Sequence, residues 1–263
     1  MTENTKPAVL ITGGNTGIGL AIAKAYSMQN YTVAVTTCPG SENPDELSNQ
    51  FTNENLELPL VLQSGFLNDD DITSQMEIIR EKIGTIDVLI SAAKKDFPVT
   101  SLDDYLEEEF LNSIESCSWP IVNYPRLMKK ILGRYPGYVI GISSGAIDTV
   151  IPGYDFNAAN QHLMEIMVRY LNHHFYPEGI IFNIVRTPPI LSGSGQDKSD
   201  TELSRHLEDY DRYGPSLSPD EFAKTLIMLT SGMMDSIRGQ TINADRGFSF
   251  AAGMFGLYNV KLS

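Results

Sequence analysis

Basic residues are scarce in this chain. Lys and Arg number 19 against 33 Asp and Glu, for a net charge of −14. Nucleic acids and anionic membrane surfaces are held by basic patches, so the balance argues against both as partners. Cysteine is scarcer still, with only Cys38 and Cys117. No CxxC or Cys/His spacing is present, so neither a disulfide framework nor a zinc site is expected. His173 and His174 are neighbours on a helix and point about 100° apart, a poor start for a shared metal. The run Asp69–Asp71 suits a helix start better than a metal, and no metal enters the reading. No apolar run approaches the ~18 residues of a membrane span. The opening MTENTKPAVLITGG holds no charged-then-apolar signal segment. The expectation is a cytoplasmic protein with reduced thiols. Repeats and low-complexity tracts are lacking. Only Leu191–Thr201, LSGSGQDKSDT, is loose in composition and reads as a loop.

What the chain does have is alternation. Its 263 residues are 42% hydrophobic, which suits one compact domain over 1–263. Short apolar strands read at AVLIT (Ala8–Thr12), YTVAVTT, LPLVLQS, IDVLISAA, GYVIGISS, GIIFNIV and GQTINAD. Helices read at Gly17–Gln29, around Pro44–Asn53, over DDDITSQMEIIREKIG, across about Leu102–Leu132, at Tyr154–Phe175 and at Pro219–Leu229. Continuous apolar strands between helices predict a parallel sheet covered on both faces, a doubly wound α/β Rossmann fold. Ligands of such a fold bind at the carboxyl ends of the strands, near the point where strand order reverses.

The turn TGGNTGIG (Thr12–Gly19) joins the first strand to the first helix. Gly13, Gly17 and Gly19 there would allow a tight turn, approach of backbone amides to a pyrophosphate, and close packing of helix on sheet. The helix start adds partial positive charge for that phosphate. A glycine motif alone is weak; one that follows a strand and opens a helix near the start of the fold is stronger.

These residues resemble the short-chain dehydrogenase/reductase family, whose fingerprint is TGxxxGIG. The ending IRGQTINADRGFSFAAGM and the segment VRYLNHHFYPEGIIFNIV make the chain most similar to the enoyl-acyl-carrier-protein reductases within it. The resemblance implies an NAD(P)H cofactor, with Gly13, Asn15, Thr16, Gly17, Ile18 and Gly19 around its phosphates. Thr36, Ala92, Ala93 and Lys94 would lie beside it, as would Pro189, Ile190 and Ser192. NAD against NADP is undecided, because Thr36, Thr37 and Cys38 are neutral where an acidic or basic residue would decide. Other departures are Gly65 at the position of a family Asp, SAAK (Ser91–Lys94) for Asn-Asn-Ala-Gly, and Thr187-Pro188 for Pro-Gly.

The resemblance further implies a catalytic group of Tyr154, Ser144, Asn112 and, where the family keeps a lysine, Gln161. An ammonium there would favour phenolate; an amide can hold a ribose hydroxyl but carries no charge. Lys94 or Lys95 is a candidate source of the missing charge. Three activities remain open. One is NAD(P)H-dependent reduction of an enoyl or acyl thioester or a polyketide-type intermediate, as in fatty-acid or polyketide synthesis. The second is non-redox chemistry on the same fold: cyclisation, dehydration or isomerisation. The third is a non-catalytic member. The substrate would be a small molecule or a carrier-bound acyl group, covered by the loop at about 191–213. The family's helix pairing implies a homodimer or homotetramer.

Overall fold

The computed structural model of the protein describes residues 6–37, 44–63, 68–93, 95, 97–188, 217–247 and 249. Seven strands form one sheet: β1 (Ala8–Thr12), β2 (Thr32–Thr37), β3 (Leu60–Gln63), β4 (Val88–Ser91), β5 (Tyr138–Ser144), β6 (Ile181–Thr187) and β7 (Thr241–Asn243). Their order is β3-β2-β1-β4-β5-β6-β7, and every pairing is parallel. The strand order therefore reverses between β1 and β4, as expected for a doubly wound sheet.

Side chains alternate across each strand, and the helices cover both results. Ala8 and Leu10 of β1 face a core built by α3 (Asp69–Lys82), α5 (Pro120–Leu132) and α6 (Asp155–His174), through Met76, Tyr124, Leu127, Met164 and Val168. Val9 and Ile11 face the opposite core, built by α1 (Gly17–Met28), α2 (Pro44–Asn53) and α7 (Pro219–Leu229), through Ile22, Tyr26, Phe51, Phe222 and Leu226. Burial on both faces explains the unbroken apolar runs of the central strands.

Boundaries moved where local chemistry intervened. The helical region expected over 102–132 is three pieces: a 3-10 turn at Leu102–Asp104, α4 (Glu107–Cys117) and α5. Pro120 has no N–H to continue the ladder, so the chain restarts there. β4 ends at Ser91 rather than running on, because the amides of Ala92 and Ala93 donate to Thr12 Oγ, each at 3.1 Å. β6 starts only at Ile181, since Gly179 is left-handed (φ 81°), and runs on to Thr187 beside Ser144.

Candidate functional site

All strands point the same way, so the carboxyl ends of β1, β4 and β5 meet at one edge, at the reversal of strand order. The glycine turn forms one side of that edge. Its backbone is braced from β2: Gly13 N donates to Thr36 Oγ at 3.1 Å and Gly14 N to Thr36 O at 3.1 Å. The Thr36 hydroxyl is thus engaged in holding the turn. The three glycines do different things. A Cβ on Gly19 would stand 2.1 Å from the Gly13 carbonyl oxygen, so that position is demanded by packing. Gly17 has φ +51°, and a Cβ there would meet nothing within 4 Å. Its backbone looks onto open space at the start of α1. Thr16, the cap residue, makes no side-chain cap hydrogen bond, and the first turn of α1 has no acidic residue. A helix start with uncapped amides beside an open glycine cradle fits a phosphate. Thr37 Oγ and Ser91 Oγ, at the ends of β2 and β4, are buried without a hydrogen-bond partner among the described residues. Buried hydroxyls are normally satisfied, so these two are available to a polar ligand. The donor chemistry of this edge therefore fits a phosphate-bearing ligand such as a dinucleotide. Asn15, Ile18, Ala92 and Ala93 sit around it, partly buried.

The other side is built by α6. Tyr154 is its cap residue and is half-buried; Gln161, seven residues on, lies on the same helix face and is 3% exposed. The Gln161 amide nitrogen donates to the Tyr154 hydroxyl oxygen at 2.8 Å. So the two positions singled out in the sequence are brought together. Ser144 is buried at the end of β5, and its neighbour Ser143 meets Gln161: the Ser143 Oγ lies 3.3 Å from Gln161 Oε1 and 2.8 Å from Glu165 Oε1. Side chains alternate along a strand, which gives neighbouring serines opposite faces.

Glu165 and Arg186 were not found by reading motifs. Glu165 is 5% exposed and accepts from Arg186 Nε at 2.7 Å and Arg186 Nη2 at 2.8 Å. Arg186 also pairs with Asp148, in the 3-10 turn Gly145–Asp148 that follows β5. The Glu165 carboxylate holds the Arg186 guanidinium above its ordinary value, with Asp148 adding to it. His162 reaches Ile147 O at 3.2 Å and lies 4.0 Å from Glu165. A signal was available: Glu165 is one helical turn beyond Gln161, and an arginine ending a buried strand calls for a carboxylate.

Asn112 is exposed on α4. Its neighbour Ser113 is the buried one, accepting a hydrogen bond from Asn160 of α6. Lys95 is exposed, with its ammonium 5.0 Å from the Phe97 ring centre. Lys94, Gly65, Pro189, Ile190, Ser192 and the loop at 191–213 lie outside the described residues. Among the described residues no group of three or more His, Cys, Asp or Glu is placed to hold a metal, and no helix is long and apolar enough to cross a membrane.

Comparison with known proteins agrees with this geometry. The family model described as Enoyl-(Acyl carrier protein) reductase matches residues 13–249. The NADH enoyl-(acyl-carrier-protein) reductase FabI of Synechocystis sp. is 24% identical, over 90% of this chain and 94% of its own length. That of Aquifex aeolicus is 21% identical, over 94% of this chain and 92% of its own. Among solved structures, a Bacillus cereus enoyl-acyl carrier protein reductase with NADP+ and indole naphthyridinone superposes with a TM-score of 0.79 at 18% identity, covering 95% of this chain and 99% of that one. An actinorhodin polyketide ketoreductase with NADPH gives a TM-score of 0.76 at 18% identity, covering 93% of this chain and 97% of that one.

Proposed function

This chain belongs to the enoyl-(acyl carrier protein) reductase family of short-chain dehydrogenases/reductases, and on that premise we propose that it is an NAD(P)H-dependent reductase of an enoyl or acyl thioester or a polyketide-type intermediate. The observation that carries the reading is the 2.8 Å bond from the Gln161 amide to the Tyr154 hydroxyl, held against the carboxyl end of β5 through Ser143. The nicotinamide cofactor, when bound, supplies hydride to a carbon–carbon double bond. The amides at the start of α1 and the Gly17 backbone would hold its phosphates. The hydroxyls of Thr37 and Ser91 would take further polar contacts.

The chain's own contribution to the reaction is a placed phenol. Gln161 donates to the Tyr154 oxygen, which directs the phenol's own proton away from Gln161 and toward an acceptor. Donation into the oxygen also polarises the O–H bond, so it donates more strongly. The acceptor in this reading would be the thioester oxygen, the atom on which reduction would place negative charge. A donor already in position stabilises that charge without reorganising. A lysine would add charge to this arrangement; the amide keeps the orientation without it. The neutral amide is also what supports the second reading, non-redox chemistry on the same scaffold.

Calorimetry with NADH and with NADPH tests the premise. Binding of at least one at sub-millimolar concentration is expected, and binding of neither would end the redox reading. With a crotonyl thioester, Gln161→Lys is expected to raise the rate about tenfold, the order of a charge placed beside a proton donor. No change would remove Gln161 from the role given to it. Cofactor binding without oxidation, while a substrate is converted, would favour the non-redox reading.

The proposal includes a homodimer or homotetramer. Leu163, Ile166 and Tyr170 form one exposed stripe on α6, at 37%, 49% and 65% exposure, and Leu111 of α4 is 53% exposed. An apolar stripe of this kind is commonly covered by another surface. Ile166→Glu is expected to lower the sedimenting mass to that of a smaller assembly. An unchanged mass would rule this face out.

A further inference from the structure

The Tyr154–Gln161 pair is tied to a buried charge pair by one hydroxyl. Ser143 is 3% exposed and sits between Gln161 Oε1 at 3.3 Å and Glu165 Oε1 at 2.8 Å. A serine hydroxyl has a single proton, and here two acceptor oxygens face it. The charged and nearer carboxylate takes the larger share, with the amide oxygen as the second arm of a three-centre bond. Glu165 is itself immobile, since Arg186 grips both of its oxygens at 2.7 and 2.8 Å and is in turn pinned by Asp148.

We propose that Ser143 is the positioning residue of the site, holding the Gln161 amide in the orientation that donates to Tyr154, with the Glu165–Arg186 pair as its fixed anchor. The proposal rests on the reductase reading for its effect on rate, but not for its structural content. The physical reason is rotational. An amide is nearly symmetric in shape, and only its neighbours decide whether nitrogen or oxygen faces the phenol. Ser143 supplies the donor that keeps oxygen on the β5 side and nitrogen on the Tyr154 side. Without that donor, the amide turns over, its oxygen accepts the phenol proton, and Tyr154 no longer offers that proton to a ligand. The charge pair matters because it fixes the serine hydroxyl, and because any change at Glu165 alters how the one proton is shared. Two side chains on α6, one turn apart, are thereby coupled through a strand.

The test reads Tyr154 directly. Protein labelled with carbon-13 at the tyrosine Cζ is compared by NMR as wild type, Ser143→Ala and Glu165→Gln, with the Tyr154 signal assigned by Tyr154→Phe. Both substitutions are expected to move the Tyr154 resonance. The resonances of Tyr26 and Tyr124, whose hydroxyls meet Thr230 at 2.7 Å and Gln75 at 2.8 Å in separate buried sites, should stay in place. A Tyr154 signal unmoved by Ser143→Ala overturns the proposal. Movement in Ser143→Ala alone removes Glu165 from it. Movement of all three signals would show a general disturbance and also count against it. If Glu165→Gln does not fold, Ser143→Ala decides. In turnover, Ser143→Ala should lower kcat about tenfold while the dinucleotide Kd changes less than about twofold, as for a donor lost from its place. If the wild type oxidises no dinucleotide, the reductase reading falls and the resonances still decide the positioning.

Discussion

Tyr154→Phe is expected to lower crotonyl-thioester reduction about a hundredfold while the dinucleotide Kd stays within about twofold, the range found for loss of a placed proton donor. A hundredfold loss corresponds to about 2.7 kcal/mol of transition-state stabilisation. The substitution removes one oxygen from a half-buried ring at the start of α6 and leaves the ring itself in place. It also leaves the Gln161 nitrogen without its phenol acceptor at 2.8 Å. That loss costs about 1 kcal/mol of stability, too little to unfold the protein. Steady-state kinetics with calorimetry on the same samples separates the two effects. A rate within about threefold of wild type would take Tyr154 out of the chemistry, because that is less than a placed donor contributes.

Gly19→Ala is expected to destabilise the fold by about 3 kcal/mol, at the upper end for a side chain forced into packed space. The added methyl would stand 2.1 Å from the Gly13 oxygen and 2.9 Å from its carbonyl carbon, and backbone cannot swing aside as a side-chain tip can. In a chain of this size that is a fall of about 10 °C in melting temperature. The turn would shift with it, and dinucleotide binding should weaken at least about tenfold, as misplacement of an ångström does in other sites. Gly17→Ala is the contrast. Its methyl would meet nothing, and the cost is the left-handed backbone at φ +51°, about 1 kcal/mol. Its melting temperature should fall by no more than about 4 °C. Its dinucleotide affinity should drop as far as that of Gly19→Ala, because the methyl would stand in the cradle. Equal loss of stability in the two variants would mean that Gly17 serves packing alone.

The strands and their helices were legible because their signals are local. AVLIT and Pro219–Leu229 are bounded in the structure as the sequence suggests. The glycine turn was legible too, although spacing alone cannot separate Gly19, crowded by the Gly13 carbonyl, from Gly17, which faces open space. Tyr154 and Gln161 could be named together because the family's tyrosine-to-lysine spacing falls on them, seven residues apart at the start of one helix. The anchor behind them left only weak signals, the helical spacing of Glu165 and an arginine near the end of a buried strand, because its parts come from three elements: Ser143 from β5, Glu165 from α6 and Arg186 from β6. A motif names the second serine of the pair; that the first also reaches α6, through Gln161 and Glu165, is set by the pleat. The same holds on α4, where helix phase buries Ser113 and turns Asn112 outward.

The double grip on Arg186 makes the turn after β5 and the anchor beneath it unequally sensitive to dissolved ions. Its inner arm, to Glu165, joins side chains 12% and 6% exposed, whereas its outer arm, to Asp148, ends on a side chain 55% exposed. Mobile ions screen charges over about 10 Å at 0.1 M ionic strength, and they act on wet pairs far more than on dry ones. Rising salt should therefore loosen the turn at 145–148 while the pair between Glu165 and Arg186 stays in register, so that the outer rim of the strand ends softens before the part that faces Gln161.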